Sequence, residues 1–195
     1  MKIDVPLREL GAIAMEDLRD AILAQDQAAW VENAQRQDSY EVHRQTRSIV
    51  LVFCDNKWPH LGVSREPGWD RLCEVAVPVM QELIRRGYPP GGTVIRAMAA
   101  LLPPGGRITP HFDSHQTFRA SHRIHVPITT NPRVRFMVDG RPYQLQVGQA
   151  YELNNQLTHS VMNSGQEDRI TFIFDYLPPG AIERGQIGAE APPTN

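Results

Sequence analysis

The chain has 195 residues, 41% hydrophobic and 22% charged, with a formal net charge of −2. That length fits one domain with a sizeable core, and the near-neutral balance excludes the electrostatic footprint of a nucleic-acid binder or of a protein drawn to an anionic membrane. No apolar stretch approaches the ~20 residues of a transmembrane helix, and Met1-Lys2-Ile3-Asp4 opens a charged segment rather than a signal peptide, so a cytoplasmic location is expected.

Residues 16–33 place Leu18, Ile22, Leu23, Trp30 and Val31 at mixed spacings of three and four, which predicts an amphipathic helix. Ser48–Phe53 is apolar and β-rich and reads as a buried strand. A second helix is expected from about Pro67, a favourable first-turn proline, to Arg86, with Gly87 as its stop. Trp69, Leu72, Cys73, Ala76, Met80, Leu83 and Ile84 mark its apolar face, and Pro78 predicts a kink. Cys54 and Cys73 show no paired spacing and are expected as buried thiols.

From Gly92 the texture changes to short strands between turn signals: 93–102, 107–112, 122–130, 134–138, 143–147, 150–153, 158–162 and 169–176. Asp139-Gly140 is a strong hairpin turn. Seven or eight strands in under ninety residues predict a mainly β, double-sheet jelly roll (cupin-like) with flanking N-terminal helices. The expected organisation is a single domain over residues 1–186, with helical support at 1–91 and the jelly-roll core at 92–178. The Pro/Ala/Gly-rich residues 187–195 read as a flexible tail.

The chemistry concentrates in His111-x-Asp113, His159 and Arg169. Residues one apart on a strand point to the same face, so His111 and Asp113 can share a metal, and His159 can join them from a later strand. Two histidines and one carboxylate with open positions form the facial triad of non-haem Fe(II) oxygenases. A surface-loop pair with a capping histidine is the alternative. On the strand from Arg169, the residues Arg169, Thr171 and Ile173 share one face and Ile170, Phe172 and Phe174 the other. A buried arginine there needs an anion, either one brought by a ligand or Asp168 or Glu167 at the rim.

The pieces Thr109-Pro110-His111-Phe112-Asp113, Arg123-Ile124-His125-Val126-Pro127-Ile128, Tyr151-Glu152-Leu153-Asn154-Asn155, Thr158-His159-Ser160-Val161 and Arg169–Asp175 resemble the aspartyl/asparaginyl β-hydroxylase family of 2-oxoglutarate oxygenases, including its bacterial free-proline hydroxylases. The resemblance covers somewhat under half the chain, about residues 96–178. It implies a double-stranded β-helix, Fe(II) at His111, Asp113 and His159, and 2-oxoglutarate held by Arg169. Arg123 and His125 match the family's Arg-x-His pair, which contacts the cosubstrate carboxylate near the metal. Read from the residues alone, His125 could equally be a satisfied core histidine and Arg123 an outward salt bridge. Asp113 supplies the acidic ligand that the animal members lack, which places the chain nearer the full-triad bacterial branch.

The implied activity is dioxygen-dependent hydroxylation of an unactivated C–H bond in an amino acid or aminoacyl residue, releasing succinate and CO2. Free amino acid and peptidyl substrates both stay open, with no nucleic-acid or membrane partner expected and the oligomeric state undetermined. Two other classes use the same roll: a cupin-like metal-binding or regulatory protein without oxygenase activity, and a metal enzyme that needs no dioxygen. His115, His122 and Arg119 could line a substrate entrance or lie in a surface loop.

Overall fold

The computed structural model describes residues 3–32 and 45–187. In chain order these form β1 (Leu7–Ala12), α1 (Glu16–Leu23), β2 (Arg47–Cys54), β3 (Val63–Arg65), α2 (Gly68–Gly87), β4 (Thr93–Leu102), β5 (Arg107–His111), α3 (Gln116–Ala120), β6 (His122–Thr129), β7 (Val134–Val138), β8 (Arg141–Tyr143), β9 (Gln149–Leu153), β10 (His159–Asn163), β11 (Arg169–Leu177) and α4 (Ala181–Ile187). A seven-stranded sheet in the order β1-β9-β6-β11-β4-β2-β3 faces a four-stranded sheet in the order β5-β10-β7-β8. Every pairing is antiparallel. This is the expected double-sheet jelly roll. No helix among the described residues is long and apolar enough to cross a membrane.

The large sheet has two different faces because side chains alternate along a strand. On β11 the outward set Ile170, Phe172 and Phe174 packs with Ile124, Val126, Ala97 and Ala99 of the neighbouring strands. Leu72, Ala76, Val79, Met80 and Leu83 of α2, and Leu18 and Ile22 of α1, cover that layer. The inward set Arg169, Thr171, Ile173 and Asp175 lies beside Leu102, Ala100, Met98 and Arg96 of β4 and faces the small sheet. A second apolar cluster, including Phe136, Val138, Tyr151, Leu153 and Val161, fills that interior.

Several boundaries differ from expectation. Helix α1 ends at Leu23, because Asp26 Oδ1 accepts the Ala29 N–H at 2.9 Å and favours a turn; Trp30 is still buried. The strand expected at 143–147 is instead β8, at Arg141–Tyr143. Asp139 and Gly140 both take positive φ (50° and 71°), the two-residue hairpin geometry, so pairing resumes at once with Val138 opposite Arg141. The N-terminal third is not purely helical support: β1, β2 and β3 extend the large sheet at both edges. Cys54 is buried, whereas Cys73 is half-buried at the margin of α2's apolar face, and both are free thiols. Residues 188–195, the rest of the expected tail, and Asn33 of the expected first helix lie outside the described residues.

Strand β1 was not legible because Leu-Arg-Glu-Leu-Gly-Ala carries little β propensity. It is fastened by a buried carboxylate. Glu152 accepts from Arg8 Nη2 at 2.5 Å and from the Tyr88 hydroxyl at 2.9 Å, and lies 2.6 Å from His122 Nδ1. Burial would raise the Glu152 pKa, but the His122, Tyr88 and Arg8 contacts together hold it below the ordinary value. Glu152→Ala strands those partners and is expected to destabilise the protein by about 3 kcal/mol. That is the low end for a broken buried ion pair, since Arg8 is 41% exposed and can turn to solvent. Urea denaturation with an unchanged m-value checks it.

Candidate metal centre

His111 ends β5 and lies opposite His159, which opens β10; β10 is held on its other side by β7, with His159 opposite Val138. Just past β5, the Asp113 N–H donates to Asn155 O at 2.9 Å, and Gln156 Nε2 donates to Asp113 O at 2.8 Å. These contacts bring one ligand atom each from His111, Asp113 and His159 within 4.8 Å of one another. The two imidazole centroids are 4.4 Å apart.

Both histidines are presented in one tautomer. His111 Nδ1 lies 2.7 Å from Thr109 O, and His159 Nδ1 lies 3.0 Å from Leu157 O. A carbonyl only accepts, so each Nδ1 carries a hydrogen and Nε2 is left as the nitrogen that can ligate, the arrangement that orients metal-binding histidines. Burial, reinforced by His111 and Arg123, lowers the His159 pKa to about 4 against the opposing pull of Leu157 O and Asp113. The ring is therefore neutral near pH 7. Two imidazoles and a carboxylate suit a divalent first-row metal.

Behind the triad a narrow cavity of about 40 Å³ runs between the sheets and is lined by His111, His159, Arg123, His125, Phe136, Val161, Ile173 and Arg169 among others. Arg169 is 5% exposed and has no hydrogen bond or ion pair among the described residues. Its guanidinium carbon lies 5.9 Å from the centroid of the Phe136 ring. Asp168 and Glu167 do not pair with it. Burial lowers its pKa to about 10. His125 is also 5% exposed, with both ring nitrogens unpartnered, so it is not a satisfied core histidine. Burial first, then Arg169 and Arg123, keep it neutral. A buried cation and an orphaned imidazole in one apolar cavity fit a ligand that carries a carboxylate.

Arg123 faces inward, but it is already engaged. Its Nε and Nη2 donate to the two oxygens of Asp175 at 2.8 and 2.9 Å, and its Nη1 donates to Asp113 Oδ2 at 2.5 Å. Three of its five N–H donors are thus committed. Asp175 also accepts from Arg96 Nη1 at 3.2 Å, and Arg96 Nη2 donates to Thr117 Oγ1 and to Asn56 Oδ1. The Phe118 ring lies 4.2 Å from the Arg96 guanidinium carbon and 4.7 Å from that of Arg123. Burial works against the Arg123 cation, yet Asp113 and Asp175 raise its pKa above the ordinary value. Burial likewise opposes the Asp175 anion, but the two arginines hold its pKa at about 2.

Asp175, Arg96 and Phe118 were missed in the sequence. The signal was present for the first two: Arg96 is the one charge in an otherwise apolar strand, and Asp175 continues the alternation of Arg169, Thr171 and Ile173. His115 caps α3 by accepting the Thr117 N–H, His122 is held by Glu152 on the outer face, and Arg119 is exposed.

A sequence profile for the family described as aspartyl/asparaginyl beta-hydroxylase matches residues 15–179. Among solved structures, an oxidoreductase of the 2OG-Fe(II) oxygenase family from Burkholderia pseudomallei aligns with a TM-score of 0.53 at 12% identity, covering 85% of this chain and 90% of that one. The nickel complex of the non-heme monooxygenase ThoJ gives 0.56 at 16% identity, over 89% of this chain and 74% of that one. At these identities the likeness is one of fold. No curated protein gives a significant match.

Titration with Co(II) is expected to saturate at one ion per chain. His159→Ala should weaken that binding by more than the roughly 10–100-fold that follows loss of an outer-shell partner. Equal affinity in the two proteins would remove His159 from the ligand set.

Proposed function

The chain belongs to the aspartyl/asparaginyl β-hydroxylase family, and on that footing we propose that it is an Fe(II)- and 2-oxoglutarate-dependent dioxygenase that hydroxylates an amino acid or aminoacyl residue. The observation that carries this reading is the convergence of His111, Asp113 and His159 beside a cavity that also holds the buried Arg169, which has no ion pair among the described residues. A metal sensor has no use for a buried, unpaired guanidinium in the cavity behind its ligands.

In this reading His111 and His159 offer Nε2, and Asp113 offers a carboxylate oxygen. Bound iron and 2-oxoglutarate would supply the oxidising chemistry, in which dioxygen places one atom in the substrate as hydroxyl and the other in succinate, with loss of CO2. Arg169 holds the far carboxylate of the cosubstrate through a planar, two-donor contact. The apolar walls from Phe136, Val161, Leu102 and Ile108 keep water from that pair and strengthen it. An anion there also restores the Arg169 cation toward its ordinary pKa, opposing the effect of burial. Neutral His125 has one N–H to donate to the same ligand, and Arg123 keeps two uncommitted N–H donors. The amino-acid substrate class follows the family, a warrant by analogy.

The deciding experiment is succinate release from anaerobically purified, Fe(II)-loaded protein given 2-oxoglutarate and dioxygen, screened against free amino acids and short peptides. Substrate-stimulated succinate is the expected result. Metal uptake with no succinate from any candidate would favour the binding-protein alternative, and turnover without dioxygen would favour a different metal enzyme. Arg169→Ala is expected to weaken 2-oxoglutarate binding by on the order of a hundredfold, within the range for truncating a buried charge pair, while metal affinity holds. Unchanged cosubstrate dependence would contradict its role. Asp113→Ala is expected to abolish hydroxylation, and full activity in that variant would take Asp113 out of the ligand set.

A further inference from the structure

We propose that Arg123, anchored by Asp175, restricts Asp113 to a single metal-coordinating oxygen, which makes Asp175 a positioning residue for the metal centre. This inference rests on the metal-site reading above. A carboxylate can bind a metal through one oxygen or both. In an octahedral site the three protein ligands leave three positions. A cosubstrate that chelates takes two of them and dioxygen needs the third. If Asp113 turned bidentate it would occupy that third position, so the denticity of one side chain decides whether the site is complete.

The geometry supplies the restraint. Arg123 Nη1 sits 2.5 Å from Asp113 Oδ2, a short charge-assisted contact that occupies this oxygen. A single contact would let a long side chain swing, but the Arg123 guanidinium is fixed by a two-point fork on Asp175, at 2.8 and 2.9 Å. Asp175 is wholly buried, and Arg96 holds it from the β4 side at 3.2 Å. Phe118 packs against both guanidinium groups. The Asp113 backbone is itself pinned by Asn155 and Gln156, so its side-chain torsions are the freedom left for Arg123 to restrain. Asp175 has no direct contact with the triad, and its link to Asp113 runs through Arg123.

The test counts water molecules on a bound ion. Mn(II) is added to cosubstrate-free wild-type protein, to Asp175→Asn and to Arg123→Met, and inner-sphere water-proton relaxation is measured at full occupancy. The wild type is expected to retain three waters and each variant two, a fall of about one third, as Asp113 takes a second position of the octahedron. Loss of stability alone does not change the water count of the folded, Mn(II)-bound fraction. Should Asp175→Asn fail to fold, Arg123→Met leaves the Arg96–Asp175 pair intact and carries the test. Bound Mn(II) with the same or a larger water count in the folded variants overturns the clamp while leaving the metal site standing. Wild-type protein that takes up no Mn(II) overturns the metal-site reading and the clamp with it.

Discussion

Strand β11 sits in the middle of the seven-stranded sheet and serves two environments at once. Its odd-numbered positions from 169 to 175 face the cavity and its even-numbered positions from 170 to 174 face the helices. Because the side-chain period of a strand is two, this division survives only while the register holds; a slip of one residue would turn Arg169 and Asp175 into the helix-covered core and phenylalanines into the cavity. The register is enforced from both sides, by β4 and by β6. The apolar layer under α1 and α2 therefore does more than supply stability: it holds the strand that presents the polar groups of the site.

The cavity also shows a division among its charges. Arg96, Arg123, Asp113 and Asp175 form a closed set in which each ion has an opposite partner. Such buried pairs add little net stability compared with an apolar replacement, but breaking one is strongly destabilising. Their value is geometric, since the pairing fixes where the triad carboxylate points. Arg169 stands outside that set with nothing to neutralise it among the described residues, and its depressed pKa registers the cost of burial. One group is positioned for permanence and the other is left for a ligand.

Much of this was legible in the sequence because the core strands announce themselves. Strands 93–102 and 134–138 match expectation at both ends, and the alternation on β11 sets Arg169, Thr171 and Ile173 on one face and Ile170, Phe172 and Phe174 on the other, as their spacing predicts. The convergence of 111, 113 and 159 followed from spacing and strand parity. What stayed hidden depends on long-range partners. β1 is held by Glu152, 144 residues from Arg8, and nothing local in its sequence signals a strand. The fork between Arg123 and Asp175 was hidden as well, because the two lie 52 residues apart and only the β6–β11 pairing sets them side by side. The turn at Asp139-Gly140 was found, but its two-residue tightness, which starts β8 early, was not.

The attachment of β1 has a consequence for the edge of the large sheet. Without residues 7–12 the large sheet would end on β9, where Ala150, Tyr151, Glu152 and Leu153 are all buried. A sheet edge presents a row of unpaired N–H and C=O groups, a template for any passing strand. The opposite margin is guarded by brevity, since β3 is three residues long and fully exposed, with Ser64 and Arg65 among them. β1 plays the corresponding part on its own side with a charged, glycine-bearing strand that neighbours have little reason to copy. The ion cluster at Glu152 then does its work at a distance from the metal centre, keeping β1 laid along the β9 edge of the roll.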